Sequence, residues 1–176
     1  MSTEKNKEGK RDPAMEAFRK LGTPGAPHKQ LAGMAGSWTT RIKTWMGPDS
    51  PPMESKGSSE QKMVLDGRFL QQVFTSEMMG TYNGIGFTGY DNHAQKYVST
   101  WIDSMSTVLF YFEGTASQDG KTITQKSRYD DPARGPIAWR SVTRIVNKNT
   151  LVYEMYIAVK RGKEKKEMEM TLTRKK

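Results

Sequence analysis

The side chains with the most chemical capacity stand in one run, Tyr97-Val98-Ser99-Thr100-Trp101-Ile102-Asp103. In an extended strand neighbouring residues point to opposite faces. Tyr97, Ser99, Trp101 and Asp103 therefore share one side, and Val98, Thr100, Ile102 and Ser104 share the other. If the first set faces a barrel interior, it gives an aromatic wall with polar handles and a carboxylate at its end. A carboxylate in that position needs a donor or takes a raised pKa, which is how an acid–base group is made. Arg68 and Arg140 are the candidate donors, and Glu113 is a second carboxylate for such a role. Two other readings stay open. Asp103 can cap a turn beside Ser104, and Val98 with Ile102 can be the packed inner face.

Other catalytic chemistry is thinly supplied. The chain has no cysteine and two histidines, His28 and His93. That removes disulfides and thiolates, and it falls short of the three protein ligands a catalytic zinc site uses. No metal site and no cofactor are expected. No histidine follows position 93, so the late strands supply no haem ligand. A Ser–His–Asp set would have to recruit one of two peripheral histidines. The glycine-dense run Gly80, Gly84, Gly86 and Gly89 lies within a strand pattern and opens no helix, as phosphate-binding loops must. It reads as strand curvature.

The elements that would position these residues are strands. Tyr82 to Ala116 contains three strand-like runs, broken at Asp91-Asn92 and at Ser104-Met105-Ser106. Before them, Trp38, Thr40, Ile42, Thr44 and Met46 alternate with polar neighbours. A second strand, from about Glu54 to Leu65, is turned by Asp66-Gly67 into a third that starts at Arg68. After them, four more strands follow through Tyr129, Ile137–Ile145, Leu151–Val159 and Met168–Leu172. Nothing between them is long enough for a crossover helix, so the pattern predicts an all-β, ten-stranded antiparallel up-and-down β-barrel. Residues 1–27 are expected to be a polar tail with one short helix from Pro13, and 28–176 the barrel domain, with a further helical turn from His28 to Ala35.

The net charge is +9, with positives gathered at Lys5–Arg11, Lys160–Lys166 and Arg174–Lys176. Glutamates interrupt the second cluster, as on a solvated hairpin face, so nucleic acid is an unlikely partner. No apolar run approaches the length of a membrane span, and the charged N-terminal stretch, with no apolar segment after it, is not expected to be a secretory leader. A cytoplasmic location is expected, and the oligomeric state stays open.

Two features resemble a known arrangement. Gly36-Ser37-Trp38 opens the first strand and Arg174 ends the last. This is similar to the calycins, the lipocalins and fatty-acid-binding proteins, in which a late arginine packs over that tryptophan at the closed end of the barrel. The segments Leu65-Asp66-Gly67-Arg68-Phe69-Leu70, Gly89-Tyr90-Asp91-Asn92, Tyr97 to Ser106 and Glu154-Met155-Tyr156 resemble a bacterial family of uncharacterised calycin-like proteins carrying a domain-of-unknown-function label. The resemblance implies the barrel, with Gly36, Trp38 and Arg174 closing it. It implies no catalytic residue.

The function expected from these residues is binding of a small, mainly apolar or amphipathic molecule in the barrel cavity. The candidate lining is Arg68, Tyr90, Tyr97, Trp101, Asp103, Tyr129, Trp139, Tyr153, Met155, Met168 and Met170. Met63 and Met78 also fall on plausible inner faces, and methionine adapts to promiscuous sites as readily as it fills irregular cores. Two alternatives remain: an enzyme using a pocket carboxylate, and an interaction or nucleic-acid-binding protein using the basic termini.

Overall fold

In strand after strand, every second side chain is withdrawn from solvent: Trp38, Thr40 and Ile42 in one, Ile123, Gln125 and Ser127 in another. A sheet with one buried face must cover it, and this sheet does so by closing on itself. The computed structural model describes residues 12–47, 50–77, 80–159 and 162–176. Among them, helices α1 (Pro13–Gly22) and α2 (Ala26–Gly33) precede ten strands. These are β1 (Gly36–Thr44), β2 (Met53–Val64), β3 (Phe69–Glu77), β4 (Thr81–Asp91) and β5 (Lys96–Asp103). Then come β6 (Phe110–Ala116), β7 (Thr122–Asp131), β8 (Gly135–Asn147), β9 (Thr150–Val159) and β10 (Lys165–Arg174). All neighbours are antiparallel, and β1 pairs with β10 to close the barrel, Trp38 opposite Arg174 and Ile42 opposite Met170.

One end is plugged. Leu31 and Met34 pack into it against Trp38, Leu70, Tyr97 and Leu172. The Trp38 ring is wholly buried, its Nε1 donates to Met34 O at 3.1 Å, and the Arg174 guanidinium lies 4.2 Å from the ring centre. Arg174 donates to Ala35 O, Gly33 O and Lys148 O at 2.6, 2.9 and 2.8 Å. Gly36 has φ 140, and a Cβ there would overlap Arg174 Nη1, so both the turn and the approach need glycine. His28 accepts from Gly25 N at 3.0 Å and meets Tyr90 edge-on, which makes it both a cap for α2 and a cover for the plug. Burial holds its pKa below the usual value, so it stays neutral.

Helix α1 lies outside this core and buries no residue. Its C-terminal carbonyls are caught by side chains of the barrel: Arg68 Nε donates to Gly22 O at 3.1 Å, and Asn92 Nδ2 to Leu21 O at 2.8 Å. Met15, Phe18 and Leu21 remain exposed. On the outer wall, Val73, Ile85 and Ile102 stand in register across β3, β4 and β5 and are also exposed.

Three strand limits differ from the sequence reading for one reason, that turn backbone ends the alternation. Leu65 and Asp66 take left-handed φ values of 50 and 53, so Leu65 is an exposed turn residue rather than part of the inner row. Arg68 closes that turn before β3 begins. Met46 lies beyond the end of β1 and is exposed.

Candidate ligand-binding site

The barrel interior changes character along its axis. At the plugged end Tyr97 is only 3% exposed, its OH donates to Gln30 Oε1 at 2.9 Å, and its ring meets Tyr90 at 5.0 Å. Tyr90 and Tyr97 are thus part of the plug. Toward the other end no helix covers the barrel among the described residues, and the inward side chains Trp101, Phe110, Tyr129, Trp139, Met155 and Met168 keep accessible surface. At Trp101, Trp139, Met155 and Met168 the strands are paired on both sides, so that surface faces interior space. The Tyr97/Trp101 face of β5 is the inner one, and Ile102 lies outside.

Trp101 can lie flat on the wall because Gly84 and Gly86 stand beside it on β4, where any Cβ would overlap its ring. This close seat accounts for Gly84 and Gly86, while Gly89 on the same strand makes room for the Phe69 ring. The indole Nε1 donates to Tyr82 OH at 3.0 Å, and Tyr82 OH donates to Asp103 Oδ2 at 3.2 Å. Burial first, and then the Asp103 charge, push the Tyr82 phenol up to about 12, so it holds its proton as a donor. Asp103 Oδ1 accepts from Met105 N and Ser106 N at 2.9 and 3.2 Å. One carboxylate oxygen therefore caps the turn, and the other accepts from Tyr82 on the inner wall.

Neither arginine reaches it. Arg68 is at the plugged end, bonded to Gly22 O and Leu65 O. It is no part of the cavity lining, because a turn residue does not inherit the inward alternation. Arg140 is on the outer face, paired with Glu164 at 2.6 Å and 4.0 Å from the Tyr156 ring centre. Glu113 also points outward, to Lys96 at 2.8 Å. Met78 lies outside the described residues. The remaining candidates line the interior. Met170 is buried opposite Tyr153, while Met155 and Met168 face each other across β9 and β10. Burial pushes the Tyr153 phenol well up, with a hydrogen bond from Ser141 opposing.

The sequence reading missed how polar this wall is. Ser99 Oγ donates to Gln125 Oε1 at 2.9 Å and lies 3.1 Å from Thr88 Oγ1, while Gln72 Nε2 donates to Ser59 Oγ at 3.1 Å. Among the described residues, Thr40 Oγ1, Ser55 Oγ, Gln61 Oε1, Gln125 Nε2 and Trp139 Nε1 are buried with no hydrogen-bond partner. Hydrophilic residues at alternate positions of β2 and β7, such as Ser59, Gln61, Gln125 and Ser127, were the available signal.

The wall also parts at one seam. β6 and β7 pair only from Glu113 opposite Lys126 to Ala116 opposite Ile123. At Gly114 they touch so closely that a Cβ would overlap Thr124 O. Beyond that pinch, residues 110–112 and 127–131 have no partner across the seam. A hollow of about 450 Å³ lies there, lined by inward Phe110, Ser127 and Tyr129, by outward Tyr111, Glu113, Lys126 and Arg128, and by Val108 and Leu109 of the preceding loop. Behind it Trp139 lies between Phe112 and Tyr129, tilted 13° and 14° from their planes, with Phe110 centred 4.7 Å away.

No three metal-binding side chains of His, Asp or Glu converge among the described residues, and no helix there is long and apolar enough to cross a membrane. Among solved structures, the crystal structure of Rv2717c from M. tuberculosis is similar over 88% of this chain and 100% of that one. It has a TM-score of 0.66 at 15% identity, a likeness of fold alone. No curated protein matches the chain. A family model described as a protein of unknown function, DUF1579, matches residues 23–174, and with that span covered the chain belongs to the DUF1579 family.

Proposed function

We propose that this protein binds a small amphipathic molecule in the unplugged half of its barrel, as a carrier or sensor in the manner of calycins, and without catalysis. The observation that carries the reading is the accessible aromatic surface of inward Trp101 and Trp139 in the unplugged half, on an inner wall that also holds polar side chains such as Ser99, Gln125 and Ser127. A few convergent polar groups in an aromatic hollow are the general form of a small-molecule site. The polar wall favours an amphipathic guest over a purely apolar one. Catalysis by a carboxylate is disfavoured because Asp103 spends one oxygen on loop amides and Glu113 faces outward.

The test is native mass spectrometry of the protein purified from its own host, before and after unfolding. A stoichiometric organic adduct released on unfolding is expected. An unliganded mass, together with tryptophan fluorescence that no amphipathic compound of a screening panel alters, overturns the reading.

A further inference from the structure

Two apolar surfaces of this chain stand uncovered, and they adjoin. In α1, Met15, Phe18 and Leu21, with Ala14 and Ala17 between them, take one side of the helix, while Glu16, Arg19 and Lys20 take the other. On the charged side Arg19 and Glu16 pair at 2.6 Å. The apolar side meets no core, since α1 buries no residue. A helix patterned for burial, with nothing to bury it, calls for a partner.

The second surface is the outer wall of β3, β4 and β5. Val73, Ile85 and Ile102 form one row across it. Phe87 stands in the next row, with Thr100 opposite it and Tyr111 of β6 beyond. The apolar members of these rows are 39–50% exposed. No charged residue occurs in 69–75, 83–89 or 98–102. The basic outer side chains Arg140, Arg144 and Lys166 lie on β8 and β10, beside β9, which is the strand opposite β4 in the closed order.

The two surfaces meet at the plugged end. The β2–β3 and β4–β5 turns border this wall, and they hold the C-terminal carbonyls of α1 through Arg68 and Asn92. Their dimensions agree. The helix has 10 residues and a length of about 15 Å, and three strand spacings from β3 to β6 span about 14 Å. A helix laid on a sheet is a standard two-layer packing. A membrane would cover the helix and leave the wall bare, and a foreign chain on the wall would leave the helix bare. A second copy covers both, and two-fold symmetry makes the contact twice. The net charge of +9 does not oppose it. Packed sheets stand about 10 Å apart, so the basic side of the barrel is held beyond the screening length of about 8 Å.

We propose that the protein forms a two-fold dimer in which α1 of each copy lies on the uncharged outer wall of β3, β4 and β5 of the other.

The test begins with sedimentation equilibrium of the full chain over a concentration series, and a monomer–dimer equilibrium is expected. Phe18→Asp and Ile85→Lys, both at exposed positions, should each weaken association by at least about thirtyfold, the loss of a central apolar anchor. Met46→Ser, at an exposed apolar position beyond β1, should leave association unchanged. Position is read by placing the photocrosslinker benzoylphenylalanine at residue 18 in a mixture of unlabelled and nitrogen-15 protein. Cross-links into residues 69–111 of a differently labelled chain are expected. A monomer at every concentration overturns the proposal. So does a dimer that Ile85→Lys disrupts and Phe18→Asp leaves intact, which would be wall against wall. Cross-links confined to one chain overturn it by placing α1 on its own wall. Binding to anionic phospholipid vesicles that Phe18→Asp abolishes, with no dimer, overturns it in favour of a membrane surface. The cross-linking result decides the matter even if Ile85→Lys disturbs the fold, because residue 18 lies outside the core.

Discussion

Arg174 stacks on Trp38 from the far end of the chain while its three guanidinium nitrogens hold carbonyls of Ala35, Gly33 and Lys148. One side chain thus ties the α2–β1 junction, the β8–β9 turn and the last strand together. Trp38→Ala removes a wholly buried ring and should cost about 3–5 kcal/mol. Arg174→Lys keeps the charge but loses the planar fork, and it should cost less than Trp38→Ala. Urea denaturation midpoints measure both. A Trp38→Ala loss below about 1 kcal/mol would contradict the described packing.

Gly86→Ala tests the seat of Trp101. The added methyl has no room beneath the ring, so the indole must lift and release Tyr82. A loss of about 1–3 kcal/mol is expected, as for overpacked cores, with a changed near-ultraviolet dichroism signal. An unaltered aromatic spectrum would show that the ring does not rest on β4.

His28 sets a pH dependence. Burial depresses its pKa in the fold, so above about 6.5, its ordinary value, both folded and unfolded chains hold it neutral and stability is full. As pH falls below that value the unfolded chain takes the proton first. Stability then declines until the folded pKa is passed. The thermal midpoint should drop between pH 7 and about 5, and His28→Gln should flatten that part of the curve. A midpoint that is level, or that rises on acidification in this window, would refute it.

Glu154 governs a lower window. Its burial alone would raise its pKa, but Lys166 and Arg144 overcome that and hold the carboxylate below its usual range. The stability it contributes is present above about 4.5 and is lost as pH falls through the folded value. Glu154→Gln should therefore destabilise at pH 7 and make little difference at about pH 2. Chemical denaturation of both proteins at the two pH values checks this.

The seam between β6 and β7 should be visible to hydrogen exchange. Amides of residues 110–112 and 127–131 that lack a partner there should exchange faster than those of Glu113–Ala116, where the strands pair. Uniform protection along β6 would mean that the wall is closed.

Alternation carried most of the fold. The period-two runs through Trp38–Thr44, Tyr97–Asp103 and Ile123–Tyr129 report which face is buried, and burial on one face of ten strands leads to closure. Gly36, Trp38 and Arg174 were legible because a turn, a ring and a guanidinium at the two ends of a barrel each have one evident use. Arg68 was misjudged because its side-chain direction depends on the turn backbone, which the alternation rule does not cover. Gly84 and Gly86 of β4 look like curvature until the neighbouring strand brings an indole over them. The unpaired stretch of β6 and β7 was hidden for a related reason: it comes from where two strands stop pairing, and no single segment of sequence carries that information.

The pairing of β1 with β10 has a kinetic consequence. Every other seam joins strands that follow one another along the chain, while this one joins residues separated by nearly its whole length. Joining them carries the greatest loop-closure entropy of any step, so this seam is expected to form last, after the rate-limiting barrier. Substitutions at Trp38 and Arg174 should then leave the refolding rate nearly unchanged and act on unfolding. The guanidinium clamp would serve as a latch, setting how long the closed barrel persists and having little influence on how quickly it forms.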